Sequence, residues 1–167
     1  MQVLLTAFDP FGGALVNPAL ELLRALPDEI GPARLARLEL PTVFGRCLEL
    51  LRERLALEAP DIALGLGLAG GRPDITVERV ALNLEDARIP DNAGFQPVDR
   101  PVVPGGPPAL FATLPIKAMV AAIRAAGVPA SVSNTAGTFV CNHLLYGLLH
   151  QLAQALPGCR GGFIHVP

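Results

Sequence analysis

Short apolar runs that alternate with amphipathic stretches predict an α/β chain, a three-layer α/β/α sandwich around a largely parallel, mixed central sheet. Three observations carry this expectation. Residues 3–8 and 61–68 are continuous apolar runs closed by loop or turn residues, as in buried strands. Leucines recur at helical spacing between those runs. The strand-then-helix order repeats to the C-terminus, with no internal sequence repeat. At 167 residues and 51% hydrophobic, the chain suits one domain and buries a full core, hiding roughly 70% of its unfolded surface.

Each element has a local reason. Val3-Leu4-Leu5-Thr6-Ala7-Phe8 forms a strand that Asp9-Pro10-Phe11-Gly12-Gly13 ends. Asn17-Pro18 then opens a helix, asparagine as N-cap and proline at its first position, with Leu22, Leu23 and Leu26 inward. A strand follows at 36–40 and a helix at 44–57, where Leu48, Leu51 and Leu55 share a face. Residues 61–68 form a strand and Ala69-Gly70-Gly71-Arg72 a turn. The β-branched run 75–82 reads as one further strand. Residues 85–108 are rich in Pro, Gly, Asp and Asn without periodicity, too long for an ordinary connection and therefore a functional loop. A helix at 116–126, a strand at 130–133, a helix at 142–155 and a strand at 162–166 complete the order.

Composition excludes several classes. A net charge of −2 without a basic cluster argues against nucleic acid as partner. No apolar run approaches the ~20 residues of a membrane span, and the N-terminus has no basic leader region. Cys47, Cys141 and Cys159 are too few and too scattered for a disulfide framework or a zinc site. A reducing cytoplasm is the expected home, where thiol chemistry is possible.

Cys141 is the candidate nucleophile. Ser133-Asn134-Thr135-Ala136-Gly137-Thr138-Phe139-Val140 runs a polar turn into an apolar helical pattern, which places the thiol near a helix N-terminus. Free N–H groups and the helix dipole there favour a thiolate, so a lowered pKa is expected. Cys47 lies inside an apolar helix, and Cys159 in a surface-like loop. His143, two residues from Cys141, points elsewhere on the helix and packs or caps. His165 ends a strand, where α/β enzymes place working groups, and is the candidate base. Glu78 lies on an otherwise apolar strand face and needs a partner. Either an arginine on an exposed edge strand pairs with it, or it orients the histidine in a Cys-His-acid set. Phe8 and Phe11 could be core or the walls of a site for a flat ligand. Arg88 is a cation in the irregular loop, functional or merely a surface ion pair.

Together these segments resemble the pyroglutamyl peptidase I family of cysteine peptidases. The matching stretches are Leu5 to Gly13 with Asn17-Pro18, Gly67-Leu68-Ala69-Gly70-Gly71-Arg72, and Val77-Glu78-Arg79-Val80-Ala81-Leu82-Asn83. Asp86-Ala87-Arg88-Ile89-Pro90-Asp91-Asn92, Thr113-Leu114-Pro115-Ile116-Lys117, residues 133–142 and Gly162-Phe163-Ile164-His165-Val166-Pro167 follow in the family's order. Ala7 stands where the family often has glycine, and Leu68 where many members have a polar residue. The resemblance implies a triad of Cys141, His165 and Glu78, with Arg88 aiding the oxyanion. It implies that Phe8, Phe11, Ile89, Phe139 and Val140 enclose the pyroglutamyl ring, that Leu68 meets the substrate, and that Asn17 supports the ligand loop. It also implies a homo-oligomer, tetramer or dimer. Family members continue past the position of Pro167 through a segment with a helix, so residues 1–167 read as a single peptidase domain without that segment.

The implied substrate is a peptide with an N-terminal pyroglutamyl residue, whose lactam lacks an ammonium group and suits an apolar slot with a few hydrogen bonds. The implied reaction is thiolate attack with a thioester intermediate, for which no metal or organic cofactor is needed. Two other readings stand beside it. One is a non-catalytic small-molecule binder of the same fold, inactive for want of the C-terminal segment. The other is a transferase or phosphorylase holding phosphate at Gly12-Gly13 or Gly70-Gly71.

Overall fold

The computed structural model describes residues 1–167. In chain order the elements are β1 (Gln2–Phe8), α1 (Pro18–Ala25), β2 (Glu29–Ile30), β3 (Ala33–Leu40), α2 (Arg46–Glu58), β4 (Ile62–Leu68), β5 (Ile75–Glu78), β6 (Val80–Leu82), β7 (Ala109–Phe111), α3 (Ile116–Ala125), β8 (Ala130–Ser133), α4 (Val140–Ala155) and β9 (Arg160–Val166). Seven strands form one sheet in the order β2-β3-β1-β4-β9-β5-β8. The pairs β3/β1, β1/β4, β4/β9 and β5/β8 are parallel, whereas β2/β3 and β5/β9 are antiparallel. The sheet is thus mixed and mostly parallel, as the sequence predicts.

Helices α2 and α4 cover one face. Leu51, Leu55, Leu145 and Leu149 pack there with Leu4, Ala63 and Phe163 of the strands. Helices α1 and α3 cover the other, where Leu20 and Leu23 meet Leu5, Ala7 and Leu66, and Val120 meets Val77 and Ala130. Strand alternation then fixes which side chains share the α2/α4 side. Phe163 packs there and Ile164 on the opposite face, so His165 shares the side of Phe163. Val77 packs beneath α3, so Thr76 and Glu78 turn toward His165.

Several expectations change. The run 75–82 is not one strand, because it breaks at Arg79. That residue donates its N–H to the Ser133 carbonyl and accepts at its carbonyl from the Ala112 N–H. Beyond it, β6 leaves the main sheet and pairs with β7. β5 is no edge strand, since β9 and β8 flank it. Leu22 is 40% exposed while Ala19, Leu20 and Leu23 form the buried stripe of α1. Cys159 is buried because the turn after α4 folds it back onto the core. Residues 86–108 are irregular as expected, tied down by the two-way backbone pairing of Glu85 with Arg100. No helix is long and apolar enough to cross a membrane.

Candidate active site

The start of α4 sits over the carboxyl ends of β4 and β9. Phe139 is the N-cap residue, and Val140 and Cys141 open the helix. The first intrahelical bond runs from the His143 N–H to the Phe139 carbonyl, so the N–H groups of Val140, Cys141 and Asn142 have no acceptor within the helix. The Asn142 side chain fixes this turn in place. Its Oδ1 accepts from the Leu82 N–H at 2.9 Å, and its Nδ2 donates to the carbonyls of Leu82 and Leu84 at 2.9 and 3.0 Å.

Cys141 Sγ rests against Gly67 of β4. A Cβ at that glycine would lie 3.0 Å from the sulfur and 2.8 Å from the Phe163 ring. Gly67 is the register partner of His165 on the neighbouring strand, so the sulfur rests on the ladder rung that carries the imidazole, and both line one cavity. The Phe163 ring lies under both, its centroid 4.9 Å from that of His165. His165 is 4% exposed, and its Nδ1 is 2.7 Å from Glu78 Oε1. An ionised carboxylate only accepts, so Nδ1 donates to it, and in the neutral imidazole Nε2 is the nitrogen free to take a proton.

Glu78 is fully buried and has two partners. Arg72 Nη1 donates to the same Oε1 at 2.8 Å. The alternative raised from the sequence, arginine or histidine, resolves into both. Cys141 departs from expectation. Burial, with the negative charge of Glu78, pushes its thiol up to about 12, while Arg72 pulls the other way. The balance of these effects favours the thiol, against the lowered value expected from the helix start.

Beside the thiol and imidazole opens a cavity of about 540 Å³, within the range of small-molecule sites. Phe11, Leu68, Ile89 and Phe139 are its apolar walls, with Asp86 and Arg88 also lining it. Phe139 is tilted against Phe11, centroids 6.0 Å apart, and meets Phe44 edge-on at 5.5 Å. Phe8 and Val140 do not line the cavity. Both are buried in the core, Phe8 because it is still in register on β1 and Val140 because it faces inward from α4. Arg88 is exposed at the rim and makes no ion pair there.

Polar ties hold the walls. Asn17 Nδ2 donates to the carbonyls of Phe8 and Asp9 at 2.8 and 3.3 Å, and its Oδ1 caps the Ala19 N–H. Asn92 Nδ2 bonds Asp9 Oδ1 and the Pro10 carbonyl, and Asp91 Oδ2 accepts from the Phe44 N–H. His143 also forms part of this frame. Its Nε2 accepts from the Gly45 N–H at 3.0 Å, so Nδ1 carries the proton toward Glu85 Oε1 at 2.7 Å.

The match to known proteins follows the same arrangement. The pyroglutamyl peptidase family matches residues 1–167. This chain belongs to the pyroglutamyl peptidase family. It is 60% identical to a pyrrolidone-carboxylate peptidase of Streptomyces coelicolor, over 99% of this chain and 77% of that protein. A pyrrolidone-carboxylate peptidase of Levilactobacillus brevis is 54% identical over 100% and 82%. Among solved structures, pyroglutamyl peptidase I of Bacillus amyloliquefaciens superposes with a TM-score of 0.97 at 53% identity, covering 99% of this chain and 81% of the other. With membership in the pyroglutamyl peptidase family, the α/β sandwich expected from the sequence stands.

Arg72, Asp86 and Phe44 belong to the site or its walls without being among the residues the sequence singles out. The signal for Arg72 was present. A cation six residues before an isolated strand carboxylate, across a Gly-Gly turn, can fold back onto it.

Proposed function

We propose that the protein is a cysteine peptidase that removes an N-terminal pyroglutamyl residue from peptides, with Cys141 as nucleophile, His165 as acid and base, and Glu78 as the group that orients the imidazole. The observation that carries the reading is the Glu78–His165 bond beside a thiol that shares the same cavity. The substrate carbonyl enters over Cys141. His165 Nε2 takes the thiol proton, and sulfur attacks the carbon joining pyroglutamate to the next residue. Loss of solvent raises the thiol, so His165 is the base that takes its proton as sulfur attacks. The N–H groups at the start of α4, with Arg88 at the rim, receive the negative oxygen. Each such donor is worth about 3 kcal/mol of barrier.

The imidazolium then protonates the departing amine, and the peptide shortened by one residue leaves. Neutral His165 next draws a proton from water, whose oxygen attacks the thioester carbon. Pyroglutamate departs and the thiol regains its proton. Phe11, Ile89 and Phe139 bound an apolar slot for the uncharged lactam, and Leu68 offers only backbone polarity. A lactam donor or acceptor left unpaired is penalised, which discriminates against proline, a ring without the carbonyl. The assembled residues and the family match favour turnover over a binder without catalysis. Three free cysteines suit a reducing cytoplasm, and exposed Leu15, Val16 and Phe111 suit a homo-oligomer.

The test is release of coumarin from pyroglutamyl-aminomethylcoumarin. Wild type turns over and Cys141→Ala does not, with both melting alike. Full turnover by the alanine variant, or none by a folded wild type, would reject the reading.

A further inference from the structure

Arg72 takes part in no bond made or broken above, yet its guanidinium bonds three acceptors on two segments of the site. The turn Ala69-Gly70-Gly71 carries it back over the sheet, with its own N–H on the Ala69 carbonyl at 3.1 Å and Gly71 at a φ of 91°. Nη1 donates to Thr76 Oγ1 at 2.6 Å and to Glu78 Oε1 at 2.8 Å. Nη2 donates to the Thr135 carbonyl at 3.1 Å. Thr76 and Glu78 belong to β5, whereas Thr135 begins the loop that delivers Cys141 to the helix start.

The carboxylate depends on this contact. Glu78 has no solvent exposure, its Oε2 finds no donor, and its Oε1 accepts from both His165 and Arg72. Holding an ionised carboxylate in the interior against a neutral imidazole alone would be costly. A guanidinium supplies charge and a planar fork, so acceptors on two chain segments can be met together. An ammonium can reach one of them as a point charge. Thr135 is in turn braced by the Ser133 hydroxyl, which donates to the same carbonyl at 3.0 Å.

We infer that Arg72 is a positioning residue, locking the Glu78 carboxylate and the loop before Cys141 to each other so that imidazole and thiol stay aligned. The inference rests on the peptidase reading and extends it. It places the alignment of acid, base and nucleophile under one side chain outside the three reacting residues. The same cation also favours negative charge on the neighbouring sulfur, opposing Glu78.

The experiment compares wild type, Arg72→Ala and Arg72→Lys with pyroglutamyl-aminomethylcoumarin, alongside iodoacetamide labelling of Cys141 across pH. For Arg72→Ala the expected loss is about 100-fold in kcat, in the range of one preorganised charged donor, with KM within about threefold. Guanidinium chloride at tens of millimolar restores at least about tenfold of it, and sodium chloride at equal ionic strength does not. Arg72→Lys keeps the charge without the fork and loses about tenfold. Labelling of Cys141 in Arg72→Ala slows at every pH below its plateau. The inference is overturned if Arg72→Ala melts as wild type does and keeps its kcat. It is equally overturned if activity falls while guanidinium gives no rescue and labelling is unchanged, the pattern of a merely structural arginine. Should Arg72→Ala fail to fold, a lysine variant with wild-type kcat overturns it and a tenfold loss without change in melting supports it. Wild type without turnover would sink the peptidase reading instead, and the labelling comparison would still decide the role of Arg72.

Discussion

At position 67 a Cβ would stand 3.0 Å from Cys141 Sγ and 2.8 Å from two atoms of the Phe163 ring. Neither neighbour can retreat, because the sulfur is the second residue of a helix and the ring is fully buried beneath His165. Gly67→Ala is therefore expected to push the thiol off its rung, costing about 1–3 kcal/mol of stability as overpacking does. The larger effect falls on kcat, by at least about tenfold through misplacement of the reacting atom. Unfolding curves and pyroglutamyl-coumarin kinetics check both, and a variant with wild-type kcat would contradict the placement. At this scale the sequence singles out Cys141, His165 and Glu78, which the fold brings to one place, since a thiol after a polar turn, a strand-end histidine and a lone strand carboxylate each have a chemical reason. Phe8 packs in the core and not on the cavity wall, a choice the sequence leaves open because an aromatic at the last residue of a strand reads the same whether it faces core or cavity. The lowered thiol pKa failed for a similar reason: a helix start is visible in sequence, but the burial that outweighs it is not.

Helix α4 is the element on which the site depends, and Asn142 anchors it. This amide is wholly buried and makes three hydrogen bonds to residues 82 and 84. Asn142→Ala leaves one N–H and two carbonyls in search of partners, with an expected loss of roughly 2–3 kcal/mol. Urea unfolding should show a lower midpoint at unchanged m, and an unmoved midpoint would mean that the turn is held by packing alone. Elements with a long apolar period, β1, β4, α2 and α4, were legible to within a few residues. The short pair β6 and β7 was not, because three residues carry no period and because the break at Arg79 is made by tertiary hydrogen bonds to Ser133 and Ala112. The antiparallel placement of β5 beside β9 is likewise a matter of long-range pairing, invisible to local pattern.

For the molecule as a whole, the three thiols set a stability that depends on alkaline pH. Burial raises all of them, Cys47 and Cys159 as well as Cys141. Above the ordinary thiol value of about 8.5 the unfolded chain gives up protons that the folded chain retains, so stability is full below that pH and falls as pH rises. Cys47, with no exposure, contributes about 1.4 kcal/mol per pH unit to that fall. Cys47→Ala should lose stability to its cavity at pH 7, and its deficit against wild type should shrink by that amount per unit above pH 9. Parallel pH profiles in urea titrations would contradict a buried thiol at this position. The sheet between two helical layers followed from the alternation of periods, whereas the cavity appears only once β4, β9, the 86–92 loop and α4 converge.

The measurement that bears most directly on the mechanism is rapid quenching in acid of the protein mixed with a pyroglutamyl ester, followed by peptide mass analysis. The account predicts a transient pyroglutamyl group on the peptide containing Cys141, which vanishes on further incubation and is absent from Cys141→Ala. Turnover at full rate with the acyl group on another residue, or with no acyl group at any time, would contradict it.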